Sequence, residues 1–240
     1  MTEETRDRLP LTGWDLLIIG VLIVVTVLLA GGLLPDDAHT GPAIVPILGL
    51  QSAIMVGAVW AVAIWWRGAS WASLGLRPTT LRWCVRAALI ALLTVPAVSL
   101  INLGVNALMH ETFSNPQVEF VAGVGTDWMG RLGMIAVGGI VVPVVEEITF
   151  RGLLYGWLRD RIGLVAGIIV SALIFASIHA IPPLIPALAL QGAVLAIVYQ
   201  RSGSLWPPIV LHAVFNSIMM FGLFAAMDSG AIPSTAFIHP

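Results

Sequence analysis

Glu146, Glu147 and Arg151 fall within six residues of one another inside an apolar run long enough to cross a membrane. Holding a charge at that depth costs roughly 2.5–3.5 kcal/mol per group on insertion scales. A chain that keeps three such groups together uses them. His179 stands in a later apolar segment, and His212 is followed four residues on by Asn216 in another. Carboxylates, imidazoles and an amide set in apolar helices suit the activation of water and hydrolysis inside a bilayer.

Two chemistries fit these residue types. In one, Glu146, His179 and His212 ligate a divalent metal such as zinc, which lowers the pKa of bound water toward about 7 and polarises a peptide carbonyl. In the other there is no metal: Glu146 activates water with help from His179, and His212 and Asn216 donate hydrogen bonds to the tetrahedral oxyanion. The His-Glu-x-x-His signature of soluble zinc proteases is absent. Ser177 and Ser217 lie in no Gly-x-Ser-x-Gly elbow, which argues against a serine nucleophile. Outside hydrolysis, the acid pair suits the proton relay of a proton-coupled transporter.

Helical spacing assigns separate tasks to the two glutamates. Glu147 and Arg151 are four apart and share a face in the favourable order for an ion pair. Glu146 is turned about 100° away, free to meet water or substrate. Pro143 and the Gly138-Gly139 pair upstream bend or loosen this helix. Counted from the nearest basic or turn residue, Glu146 lies about 20 Å, His179 about 24 Å and Asn216 about 18 Å along its helix. Three separate helices thus bring these groups to a similar depth, with His212 somewhat shallower. Gln51, Asn102, Asn106 and Gln191 read as structural amides, and His39, His110 and His239 fall outside the apolar runs.

The elements that hold these residues follow from composition. Of 240 residues, 58% are hydrophobic and 10% charged, against about 25% charged in a soluble domain. The expected fold class is all-α: a polytopic transmembrane helix bundle of about seven spans plus a short interfacial segment. The spans are Trp14–Leu34, Val45–Trp66, Val85–Met109, Trp128–Leu158, Gly163–Ala180, Leu184–Tyr199 and Leu205–Met227. Residues 1–240 form one integral-membrane domain with its core of chemistry at about 128–220. Every basic residue is Arg. Arg6, Arg8, Arg67, Arg77, Arg82, Arg86, Arg159, Arg161 and Arg201 all fall at one side, and Arg131 is the exception. The positive-inside rule makes that side cytoplasmic, with the N-terminus in and the C-terminus out. The mixed Trp and Arg segment 67–86 reads as the interfacial stretch. Cys84, the one cysteine, permits no intrachain disulfide and reads as a small apolar filler. No basic stripe suggests nucleic acid; the partners expected are the lipid bilayer and a membrane-associated peptide or protein.

Three motifs resemble those of the CPBP family, the CAAX proteases and bacteriocin-processing (Abi) enzymes. They are Glu146-Glu147-Ile148-Thr149-Phe150-Arg151, Phe175-Ala176-Ser177-Ile178-His179 and His212-Ala213-Val214-Phe215-Asn216. Leu74-Gly75-Leu76-Arg77 and the lead-in Ser204–Ile209 are similar too, so the likeness covers about residues 70–220. It implies an intramembrane metalloprotease or metal-free endopeptidase in a bacterial or archaeal cell membrane. Glu146 and His179 are then tied to water activation, and His212 and Asn216 to oxyanion stabilisation or metal binding. Some family members serve bacteriocin maturation or self-immunity, so a non-catalytic immunity protein of the same fold is the further alternative. The resemblance carries no particular substrate with it.

Overall fold

The computed structural model describes residues 9–33, 43–109, 115–124 and 127–231. His39, His110 and His239, Arg6 and Arg8 lie outside them. Among the described residues there are eight helices and no strand: α1 (Gly13–Leu33), α2 (Ile44–Trp66), α3 (Leu81–Met109), α4 (Pro116–Ala122), α5 (Trp128–Ile162), α6 (Leu164–Ser177), α7 (Ile185–Ser202) and α8 (Trp206–Asp228). Five elements have the length and apolarity of a full crossing: α2, α3, α5, α8 and α7 taken with its entry turn from Pro182. The protein is therefore a polytopic helical membrane bundle. Its lipid-facing character is plainest on α3, where Leu93 is 72% and Leu103 66% exposed. Such a face is stable only against hydrocarbon.

Several expected boundaries move for identifiable reasons. α6 stops at Ser177 after 14 residues, about 21 Å, and short of the expected end at Ala180. Ala180 has φ 55 and Pro182-Pro183 follow, so the backbone cannot stay helical. α3 starts at Leu81, so Arg82, Cys84 and Arg86 belong to its first turns, and the non-helical interfacial stretch shrinks to residues 67–80. α5 continues past Leu158 to Ile162 as one 35-residue helix, and Gly163, at φ 84, ends it. The turn signal Asn115-Pro116 starts α4: the Asn115 side chain accepts from the Gln117 amide at 3.0 Å, with Pro116 in the first turn.

The arginine-bearing end of the bundle is closed by a packed plug. Leu9, Leu11, Leu74, Tyr155, Tyr199 and Leu205 are buried together there. Leu11, ahead of α1, accepts from Trp157 Nε1 at 3.2 Å and Arg161 Nη2 at 2.9 Å. Thr12 and Asp15 cap α1 reciprocally: the Thr12 amide and hydroxyl donate to Asp15 Oδ2 at 2.7 and 2.8 Å. Asp15 is fully buried, and Arg67 supplies its counter-charge through Nε and Nη2 at 2.9 and 2.8 Å. At the opposite end Arg131, the exception to the arginine pattern, forms a two-point pair with Asp228 at 2.8 and 2.9 Å.

The Leu74–Arg77 turn explains its own motif. Gly75 O accepts from the Leu205 amide at 2.8 Å, and Arg77 O accepts from Ser204 Oγ at 2.7 Å. Gly75 has φ 102, and a Cβ there would collide with the Tyr199 ring. Gly152 on α5 lies so close to the Leu74 carbonyl that it too has no room for a side chain. Gly75→Ala is accordingly expected to destabilise the bundle by about 1–3 kcal/mol. Gly49→Ala, with open space around it inside α2, keeps stability or raises it by up to about 1 kcal/mol. Thermal unfolding in detergent, compared across the two variants, measures this.

Candidate functional site

The site is organised by the middle of α5, where the helix leaves regular geometry twice. Residues Val137–Val141 and Ile148–Tyr155 are π-helical, and the α-helical turn Val142–Glu147 between them carries both glutamates. Segments of this kind are rare in helices and are found mostly at functional sites. In the first, the Val142 amide reaches back five residues to Val137 O. The residue that would continue this register onto Gly138 is Pro143, which has no N–H. Gly138 O is instead met by Asn216 Nδ2 of α8 at 3.3 Å. α8 can come this near because neither neighbour has a side chain: a Cβ on Gly138 would overlap Met220, and one on Gly139 would overlap Ser217 Oγ.

Glu147 and Arg151 face away from lipid, 0% and 2% exposed, with Arg151 Nη1 2.8 Å from Glu147 Oε1. The same oxygen accepts from His212 Nδ1 at 2.9 Å. Glu147 Oε2 has no hydrogen-bond partner among the described residues, so two donors on one oxygen hold this carboxylate. The geometry adds a contact that helical spacing did not reveal. Glu147 orients His212 as well as pairing with Arg151. Because a carboxylate accepts, His212 Nδ1 carries the proton, and Nε2 is turned toward Glu146 Oε2 at 3.7 Å. One imidazole thus stands between the two glutamates, which point in different directions as their spacing requires. Glu146 remains partly open, its side chain 17% exposed.

Phe175 ties the other groups to this centre. Its ring packs edge-on against His179, His212 and Phe150, at centroid distances of 5.1, 6.0 and 5.2 Å. The Arg151 guanidinium carbon lies 4.3 Å from the centre of that ring, a cation–π contact that offsets part of its desolvation. Arg151 Nη2 also donates to Gly192 O of α7 at 3.3 Å. His179 sits just beyond the end of α6, in the turn rather than in the helix. Its Nδ1 is 2.8 Å from Phe175 O. A carbonyl only accepts, so Nδ1 is the protonated nitrogen and Nε2 is left with its lone pair.

Glu146, His179, His212 and Asn216 all line one cavity of about 870 Å³, whereas Glu147 and Arg151 stand behind its wall. Gln51 of α2, Asn102 of α3 and Gln191 of α7 line it as well. These amides read as structural in the sequence; a single amide in an apolar helix carries no mark of what it faces. The cavity lies in the half of the bundle away from the arginine-bearing end, because that end is filled by the plug around Tyr155 and Tyr199. Among the described residues, no three of His, Cys, Asp and Glu converge as a group able to hold a metal ion.

Residues 128–218 match the family model described as "Type II CAAX prenyl endopeptidase Rce1-like". The chain is similar to the "Putative membrane peptidase YdiL" of Bacillus subtilis (strain 168), with 31% identity over 87 residues. That match takes in 36% of this chain and 36% of the length of the relative. No solved structure matches the chain.

Removing the cation behind the wall leaves Glu147 with His212 alone. Arg151→Met is expected to cost about 3–5 kcal/mol of stability. The double change Glu147→Leu with Arg151→Met recovers a large part of that loss, because it removes the uncompensated charge. Unfolding midpoints of the three proteins in one detergent test the ordering.

Proposed function

Starting from the match of residues 128–218 to the family model described as "Type II CAAX prenyl endopeptidase Rce1-like", we propose that the protein is a membrane endopeptidase. It hydrolyses a peptide bond in a membrane-associated peptide or protein. The observation that carries this reading is the convergence of Glu146, His179, His212 and Asn216, from three separate parts of the fold, on the wall of a single cavity. A binding protein has no need to bring a partly exposed carboxylate, an imidazole nitrogen facing the cavity and two hydrogen-bond donors together at membrane depth. By the arginine distribution the N-terminus is cytoplasmic and the C-terminus outside.

The reaction is derived from the chain's own side chains. Glu146 accepts a proton from a water molecule in the cavity as the water oxygen attacks the carbonyl carbon. His179 Nε2 accepts a hydrogen bond from the same water and fixes its position. The negative charge that develops on the carbonyl oxygen is met by His212, which in its imidazolium form donates from Nε2 while Nδ1 donates to Glu147, and by the remaining N–H of Asn216 Nδ2. The carbon–nitrogen bond then breaks, and Glu146 returns its proton to the leaving amine. The products are a carboxylic acid and an amine, and transfer of the remaining proton between them leaves a carboxylate and an ammonium group. Glu147 and Arg151 act through His212 by fixing its ring and balancing its charge. A divalent metal would supply Lewis-acid polarisation of the carbonyl. Among the described residues the donor arrangement offers no three-ligand group for one, so no step is assigned to it.

Glu146→Gln is expected to reduce cleavage of a quenched peptide library in detergent about 10²–10⁴-fold with the fold intact. Asn216→Ala reduces kcat about 10²–10³-fold with little change in KM. Addition of a chelator leaves the wild-type rate unchanged. Undiminished cleavage by Glu146→Gln would overturn the assignment of the base, and loss of activity with chelator would restore the metal reading.

A further inference from the structure

We propose that substrate reaches Glu146 from the extracytoplasmic side, as a stretch of peptide without charged side chains. This rests on the peptidase reading above and names the side and the chemistry of what is cleaved. The first observation is where the cavity lies on each helix. α2 contributes Leu48–Met55 of Ile44–Trp66, and α3 contributes Val95–Asn102 of Leu81–Met109. α5 contributes nothing beyond Glu146, while α8 contributes residues from His212 as far as Ala226. α2, α3, α5 and α7 line the cavity with the half away from their arginine-bearing ends, and α8 lines it from its second turn onward. α4, on the arginine-poor side, lines it along one wall.

The second observation is the barrier on the opposite side. Between Glu146 and Arg159 lies the plug, in which Leu74, Tyr155, Tyr199 and Leu205 are completely buried. The turn that seals it is tied by a backbone hydrogen bond from Leu205, at the entry to α8, and by close glycine contacts to α5 and α7. A peptide arriving from the arginine side would have to displace this core. Since arginine clustering marks the cytoplasmic side, the open half faces outward.

The third observation concerns the walls. Among the described residues Glu146 is the one Asp, Glu, Lys or Arg that lines the cavity. A charged substrate side chain would lose its hydration there, with Glu146, engaged in the reaction itself, as the sole Asp, Glu, Lys or Arg to meet it among the described residues. Gln51, Asn102, Asn115, Gln117 and Gln191 each offer a donor and an acceptor to a passing backbone. Amides that combine both roles suit a peptide main chain whose own side chains are apolar.

Two measurements on the full chain test this. In a Cys84→Ser background, Gln51→Cys and Gln191→Cys are treated with a membrane-impermeant maleimide in spheroplasts and in inverted membrane vesicles. Arg77→Cys serves as the marker of the arginine side, and each protein is also labelled after denaturation. The expected result is labelling of Gln51→Cys and Gln191→Cys in spheroplasts and its loss in inverted vesicles, with Arg77→Cys the reverse. Labelling of the cavity positions from the same side as Arg77→Cys, or from neither side, overturns the proposal. In the second measurement, quenched uncharged decapeptides are supplied to the wild-type chain in detergent and outside each vesicle type. Cleavage in detergent and by spheroplasts, falling about tenfold or more when lysines flank the bond, supports it. Cleavage in detergent and by inverted vesicles alone overturns it. Absence of cleavage even in detergent strikes the peptidase reading instead, and the labelling result, which needs no catalysis, still decides the side of access.

Discussion

The arrangement Arg151–Glu147–His212 is the constraint on which the rest of this bundle depends. Three ionisable groups sit 2%, 0% and 3% exposed at membrane depth, an arrangement that is stable only if each finds a partner within hydrogen-bond reach. They come from two helices, α5 and α8, so pairing them fixes the rotation and height of α8 against α5. Once that register is set, Asn216 must lie one turn further along the same face, opposite Gly138. Arg151 also reaches α7 through Gly192 O and α6 through the Phe175 ring. A single buried cation therefore sets the relative positions of four helices.

The price of that register is paid in backbone regularity, and small residues make it possible. Gly138 and Gly139 let α8 approach, Gly152 lets the Leu74–Arg77 turn approach, and Gly192 packs its backbone against Ala172. π-helical turns on both sides of the glutamates shift the carbonyl register without breaking α5. The deviation leaves a carbonyl for which Pro143 supplies no amide, and the amide of Asn216 takes that role. A group that looks like simple interhelical glue is thereby held with one N–H engaged and the rest of its amide turned to the cavity.

Much of this was legible from residue type and spacing. Charged groups in an apolar run announce their own importance, and a repeat of four identifies Glu147 with Arg151 and His212 with Asn216. The limits of α2 and α8 agree closely with the hydrophobic runs, because lipid-facing helices show their length in composition. Other features carry no such signal. His179 lies beyond α6 because of the backbone at Ala180 and the prolines after it, yet Ile178 and Ile181 keep the run apolar. The bond from Glu147 to His212 joins residues 65 apart, and nothing in either neighbourhood encodes it. The half of the bundle that holds the cavity depends on where Tyr155 and Tyr199 pack, and an aromatic residue in a membrane helix reads the same whether it plugs an end or faces lipid. Phe175 stood four residues before a histidine, a clue to its place beside His179, but its contacts with three other side chains emerge only in three dimensions.

The shortness of α6 has a consequence for the lipid around it. Fourteen residues of α6 cover about 21 Å, whereas the acyl-chain region of a typical bilayer is about 30 Å thick. α6 alone stops short of the far headgroups and leaves the rest of the crossing to the turn before α7, where Ile178 is 52% exposed, while α7 with its entry turn from Pro182 has the length of a full crossing. Headgroups beside α6 sag toward its end, or their chains shorten locally, at a cost of fractions of a kcal/mol per Å of hydrophobic mismatch. Acyl-chain length in the host membrane thus becomes a variable of this protein, since it sets how far bulk water stands from the imidazole of His179.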